Sequence, residues 1–221
     1  MKLPSKNVGL ITVMLSVAGC DSALIWSAHN NAPMVVSATI AAGANVNAHD
    51  ENGLTPLQWA IKQRNNEIAM QLLANGADIE AHNNAKATAL HIAAVIDNLP
   101  IARELIAKGA NLSAVSSEGW TALHFTVARE SKEIASLLIA KGVSLNAATI
   151  QGDTPLHLAA QGGRIVLTKL LLEKGADKGA RNNEGKTPLE VAYANGKAEV
   201  VRLLSNSSGA TQPINPPDAA R

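Results

Sequence analysis

Thr154-Pro-Leu-His-Leu-Ala159 is one of five near-copies whose leading threonines, Thr55, Thr88, Thr121, Thr154 and Thr187, fall 33 residues apart without drift. The other four read Thr55-Pro-Leu-Gln-Trp-Ala60, Thr88-Ala-Leu-His-Ile-Ala93, Thr121-Ala-Leu-His-Phe-Thr126 and Thr187-Pro-Leu-Glu-Val-Ala192. Further along the first four copies come aliphatic pairs, Leu72-Leu73, Leu105-Ile106, Leu138-Ile139 and Leu171-Leu172, followed by Gly76, Gly109, Gly142 and Gly175. Just upstream of each Thr stands Gly53, Gly119, Gly152 or Gly185, with Lys86 as the departure. A fixed period of this length means a stack of alike supersecondary units, each contacting only its neighbours.

Each unit has a physical reading of its own. The Thr side chain caps free backbone N–H groups, and Pro56, Pro155 and Pro188 take the first helical position, where a missing N–H costs nothing. A first helix therefore starts there. Leu57, Trp59 and Ala60, then Ile68, Leu72 and Leu73, follow helical spacing, and Gly76 suits a left-handed cap that ends a second helix. Residues 77–84, Ala-Asp-Ile-Glu-Ala-His-Asn-Asn, are polar and turn-rich and predict a projecting finger.

In period and motif this pattern resembles the ankyrin repeat. The resemblance implies an all-α solenoid of stacked helix-turn-helix units with projecting loop or β-turn fingers. Five repeats are expected over about 50–82, 83–115, 116–148, 149–181 and 182–204. Counting back one period from Thr55 and Gly76 lands on Ser22 and Gly43, which places a degenerate N-terminal repeat at 21–49, as expected of a terminal unit with one unstacked face. Gln58 and Glu190 stand in the column otherwise held by His91, His124 and His157; an acid there fits a last unit with nothing stacked beyond it.

The ends read differently. Residues 1–19 have a short positive start, Lys2 and Lys6, then an apolar run from Val8 to Ala18, the size and order of a secretory signal rather than a membrane span. Val17-Ala18-Gly19-Cys20 resembles a bacterial lipobox, which implies cleavage before Cys20, lipidation of Cys20 and a membrane tether in the periplasm. Asp21, directly after it, resembles an inner-membrane retention signal. Cys20 is the only cysteine, so an acylated chain would carry no thiol. Residues 205–221 hold one Ile and show no periodicity, and a disordered tail is expected.

Composition narrows the function. Formal charge is 19 − 18 = +1, and without Lys2 and Lys6 it is 17 − 18 = −1. With no clustered basic face, nucleic-acid binding is not expected. The His column cannot hold one metal ion, since residues one repeat apart lie roughly 8–10 Å from each other while zinc–nitrogen bonds are about 2 Å. The resemblance assigns those histidines instead to hydrogen bonds with the Thr of their own unit and the adjoining loop. His29, His49 and His82 have no partner at ligand spacing, and Asp50, Glu51, Asp78 and Glu80 read as a solvated loop. No nucleophile elbow, phosphate loop or zincin helix occurs. No cofactor, no catalytic residue and a monomer are expected.

What remains is binding. In ankyrin-like stacks the finger tips and first helices form a concave face that touches the partner. The tip column holds Leu54, Ala87, Trp120, Asp153 and Lys186. A central patch of Trp120, Val95, Ile96, Ile150 and Arg129, with Glu118 and Ser117 beside it and Leu54 on the first full finger, is the expected contact surface. Trp59 and Trp26 share a column with Ile92, Phe125, Leu158 and Val191 and are read as core. The expected function is a non-enzymatic protein-binding scaffold, with an immunity protein against a periplasmic toxin or an accessory factor for an envelope stress or redox enzyme as alternatives.

Overall fold

The structure is a computed structural model of the chain and describes residues 19–206. The signal reading over residues 1–18 and the tail from residue 207 lie outside the described residues. Ser205 and Asn206, assigned above to the tail, instead complete the last helix.

Twelve helices and no strand occur among the described residues. They come as six pairs: α1 (Gly19–His29) and α2 (Pro33–Ala41); α3 (Pro56–Lys62) and α4 (Asn66–Ala74); α5 (Ala89–Val95) and α6 (Leu99–Ala107); α7 (Ala122–Arg129) and α8 (Lys132–Ala140); α9 (Pro155–Gly162) and α10 (Ile165–Glu173); α11 (Pro188–Ala194) and α12 (Ala198–Asn206). Each odd helix packs on its own even partner and on the odd helices before and after it, and the even helices form a second row. Thr55, Thr88, Thr121, Thr154 and Thr187 are all N-caps with extended backbone.

The core is made of repeated columns. Leu24, Leu57, Leu90, Leu123 and Leu156 fill one layer after another from the odd helices, and Leu72, Leu105, Leu138 and Leu171 answer from the even ones, all at 2 % exposure or less. Small residues at Ala60, Ala93, Ala159 and Ala192 let neighbouring helices approach. Buried hydroxyls in these layers are mostly absorbed locally: Thr126 Oγ1 donates to the Leu123 carbonyl at 2.8 Å and Ser27 Oγ to that of Leu24 at 2.9 Å.

Fingers join neighbouring units. In each finger a tight turn closes on itself, as where the Gly119 N–H donates to the Ser116 carbonyl at 2.9 Å. One backbone bond then links each finger to the next: Asn84 N–H to Asn52, Ser117 to Ala85, Ile150 to Glu118 and Asn183 to Gln151, at 2.8–3.0 Å. Gly119 turns with φ +75°, and a side chain there would start 2.9 Å from the Ile150 nitrogen, so this position needs glycine for both conformation and space. Lys86 nevertheless adopts the same left-handed turn at φ 55°.

The His column latches units together. The Thr88 N–H donates to His91 Nδ1 at 3.1 Å, which leaves the proton on Nε2, and Nε2 reaches the Ala114 and Trp120 carbonyls of the next unit, each at 3.1 Å. His124 Nε2 reaches the Asp153 carbonyl and His157 Nε2 that of Lys186. Gln58 does the same work with an amide: its Oε1 accepts the Thr55 N–H and its Nε2 donates to the Ala81 and Ala87 carbonyls. Glu190 accepts the Thr187 N–H at 2.7 Å and, as an acid, has no proton for a further unit. Those backbone and side-chain bonds from Thr187 hold its carboxyl below the usual range.

Candidate functional site

The fingers and the odd helices border a groove that deepens into depressions at the N-terminal and C-terminal ends of the stack. Its wall is the column Trp26, Trp59, Ile92, Phe125, Leu158 and Val191, one residue from each odd helix. Ile92 and Leu158 are buried at 8 % and 9 %, Trp59, Phe125 and Val191 are half-buried, and Trp26 is 38 % exposed. The reading of Trp26 as core is therefore corrected, while Trp59 packs against the edge of the core. At this column Ile92 and Leu158 end beneath their neighbours, the longer Trp26 indole extends into the groove, and Val191, in the last unit, is half-open.

The N-terminal end of the groove holds a cavity of about 470 Å³, lined by Trp26 and His29 from α1, by His49, Asp50 and Glu51 from the first full finger, and by Trp59 from α3. His29 stacks on Trp59 with ring centroids 4.1 Å apart. The Trp59 indole N–H donates to Asp50 Oδ2 at 2.8 Å, while Asp50 Oδ1 accepts the backbone N–H groups of Asn52 and Leu54, both at 2.8 Å. Lys62 Nζ lies 4.6 Å from the Trp59 ring centre, within cation–π range. Partial burial alone would raise the Asp50 pKa; the donors from Leu54, Trp59 and Asn52 and the Lys62 charge outweigh it and hold the carboxyl below its ordinary range. None of these six lining residues belonged to the expected contact surface. The available signal was the presence of Trp, twice, in a column that elsewhere carries smaller side chains.

The expected central patch is distributed over two ends of the helices. At the fingers, Ser117 and Glu118 are exposed, Ile150 is 61 % exposed and bonded through its N–H to the Glu118 carbonyl, so these three are adjacent. Trp120 belongs to the same finger but is half-buried: its ring packs on Phe125 at 4.9 Å and lies 6.1 Å from His124. This pairs the residue before the N-cap with the fourth helical residue, the geometry of a hydrophobic staple. At the other end of the odd helices sit Val95, the last residue of α5, Ile96, its C-cap, and exposed Arg129 at the end of α7. Seven residues of helix separate the two groups by about 10 Å. Ile96 packs against the core, and its carbonyl accepts from the Arg64 guanidinium. Leu54 is corrected outright: at 6 % exposure it is part of the core, in the same pre-cap position as Trp120, and presents no side-chain surface to a partner.

The acidic loop residues have structural employment. Asp78 Oδ1 accepts the Glu80 N–H, and Glu80 Oε1 accepts the Asn111 N–H of the next unit, each at 2.8 Å. Burial holds the His91 pKa below its ordinary value and that of His124 at about 4, against the weaker opposing effect of the carbonyls they bond. These histidines are neutral latches rather than ligands. No group of residues suited to a metal ion occurs among the described residues.

The family model described as ankyrin repeats (3 copies) matches residues 5–83, 67–149 and 145–215. The chain belongs to the ankyrin repeat family. Ankyrin repeats are generally protein–protein interaction modules and typically non-enzymatic. A comparison with the curated proteins finds no match to this chain.

Proposed function

We propose that this protein is a non-enzymatic scaffold that grips a protein partner in the groove between its fingers and odd helices, while a lipid on Cys20 tethers it to a bacterial membrane on the periplasmic side. The observation that carries the binding reading is the apolar column from Trp26 to Val191, one residue in each of six units, of which Trp26, Trp59, Phe125 and Val191 are partly open. Half-open apolar surface on a preorganised frame is what a protein interface uses, because little ordering entropy is lost on association. Cys20 is half-buried in the first turn of α1, and Asp21 Oδ1 accepts the Asn45 N–H at 2.6 Å. A lipid at Cys20 would therefore hold the first unit next to the bilayer with almost no intervening chain. Two or more acyl chains on that residue give a stable anchor.

Two measurements test the proposal. Recovery of partners from cells by Ile150→Asp and Val95→Asp variants is expected to fall below that of the unaltered protein; equal recovery by both would remove the groove as the contact surface. Mass spectrometry of the mature N-terminus is expected to find acylated Cys20, and an unmodified Met1 or unacylated Cys20 would remove the tether without touching the binding claim.

A further inference from the structure

The N-terminal cavity differs from the rest of the groove in chemistry. Trp26 is the most exposed member of the groove column, and among the described residues nothing stacks on its ring or accepts its indole N–H. The Glu51 carboxylate next to it likewise makes no hydrogen bond or ion pair among the described residues. Asp50 behind them is held ionised by its three N–H donors. Lys62 lies over the Trp59 ring and does not line the cavity, so the Trp26 face and Glu51 are left to a second cation.

We infer that this cavity is a receptor for an arginine side chain presented by the partner protein, with the guanidinium lying on the Trp26 ring and its edge paired to Glu51. This rests on the protein-binding reading above. The planar guanidinium suits the site better than an ammonium, because it can stack on an indole face and fork to a carboxylate at the same time. A cavity of about 470 Å³ has ample room for one such side chain. The source is a polypeptide because the cavity is walled by Trp26 and Trp59, the first two members of the odd-helix column on which the protein-binding reading rests. Buried Trp–Arg contacts of this kind dominate interface energetics.

The test uses the full chain and two probes, N-acetyl-arginine-N-methylamide and its uncharged citrulline counterpart, titrated to about 50 mM as weak single-group binding demands. The readout is the set of indole N–H signals from the three tryptophans. The signals of Trp26 and Trp59 are expected to move with the arginine probe while that of Trp120 stays, and the citrulline probe is expected to bind about tenfold more weakly. Glu51→Gln, at an exposed residue without contacts, is expected to weaken the arginine probe about fivefold without disturbing the fold. Indole signals that stay still, or move equally with citrulline, overturn the assignment. In cells, crosslinked partner recovered undiminished by a Trp26→Ala, Glu51→Gln double variant would overturn the partner arginine while leaving the groove reading intact; no partner recovered even by the unaltered protein would instead sink the groove reading itself.

Discussion

Two tryptophan-bearing regions of the groove behave oppositely. Trp120, at a finger, is half-buried against Phe125 and His124 of its own unit; Trp26 and Trp59, on helices, reach into a cavity with acidic residues around it. Position on a loop or a helix did not decide exposure. What decided it was the neighbour each ring meets: Trp120 stands one residue before an N-cap, where the fourth helical residue covers it, whereas Trp26 belongs to a groove-facing column at the end of the stack. A second contrast follows the first, because the latch beneath the aromatic end is Gln58 while the central latches are His91 and His124.

That second contrast gives the largest effect. His124 is fully buried and neutral in the folded chain, with its pKa lowered from 6.5 to about 4 by burial, so the unfolded state binds its proton first as pH falls. Its contribution is complete above pH 6.5 and is lost as pH falls from about 6.5 towards about 4, a cost on the order of 3 kcal/mol. Denaturant unfolding followed across this range is expected to show the loss, and His124→Gln, which copies Gln58, is expected to remove a large part of it. A His124→Gln protein with the same acid sensitivity would break the contrast between the two latches.

Next in size, Trp120→Ala is expected to destabilise the stack by about 2 kcal/mol, less than for a fully buried Trp, because it deletes the staple over Phe125. Thermal or urea unfolding checks this, and no change would return Trp120 to the class of free surface anchors. Between the two regions, the finger carrying Lys86 holds a non-glycine residue in a left-handed turn. Lys86→Gly is expected to raise stability by about 0.5–1 kcal/mol as that strain is relieved. Smallest of the losses, Trp26→Ala is expected to cost about 0.5–1 kcal/mol, as for a ring that is only partly covered, while weakening association. A large loss of stability from Trp26→Ala would mean that its ring is structural after all.

Much of the fold was legible because each unit repeats its caps. The five threonines, the prolines after them and the glycines at Gly43, Gly76, Gly109, Gly142 and Gly175 mark helix ends through backbone chemistry that sequence exposes directly. The turn between the two helices of each unit was harder to read. It takes positive φ at Asn31, Arg64, Asp97, Glu130, Gly163 and Gly196, yet only two of those six are glycine, so glycine alone does not mark it. The groove was legible as a region and not residue by residue. Leu54 and Trp120 share a position that favours staples, and the helix column was read as core from its apolar character, although its burial varies with side-chain length and, at Val191, with position in the last unit.

The central claim is that the groove, and not the outer row of helices, meets the partner. Photo-crosslinking residues placed singly at Ile150 and Gln161 in the groove and at Met70 on the even row, all exposed, would be activated in whole cells. The groove positions are expected to yield a discrete crosslinked protein and Met70 none; crosslinks from Met70 alone, or equal yields from all three, would contradict the account.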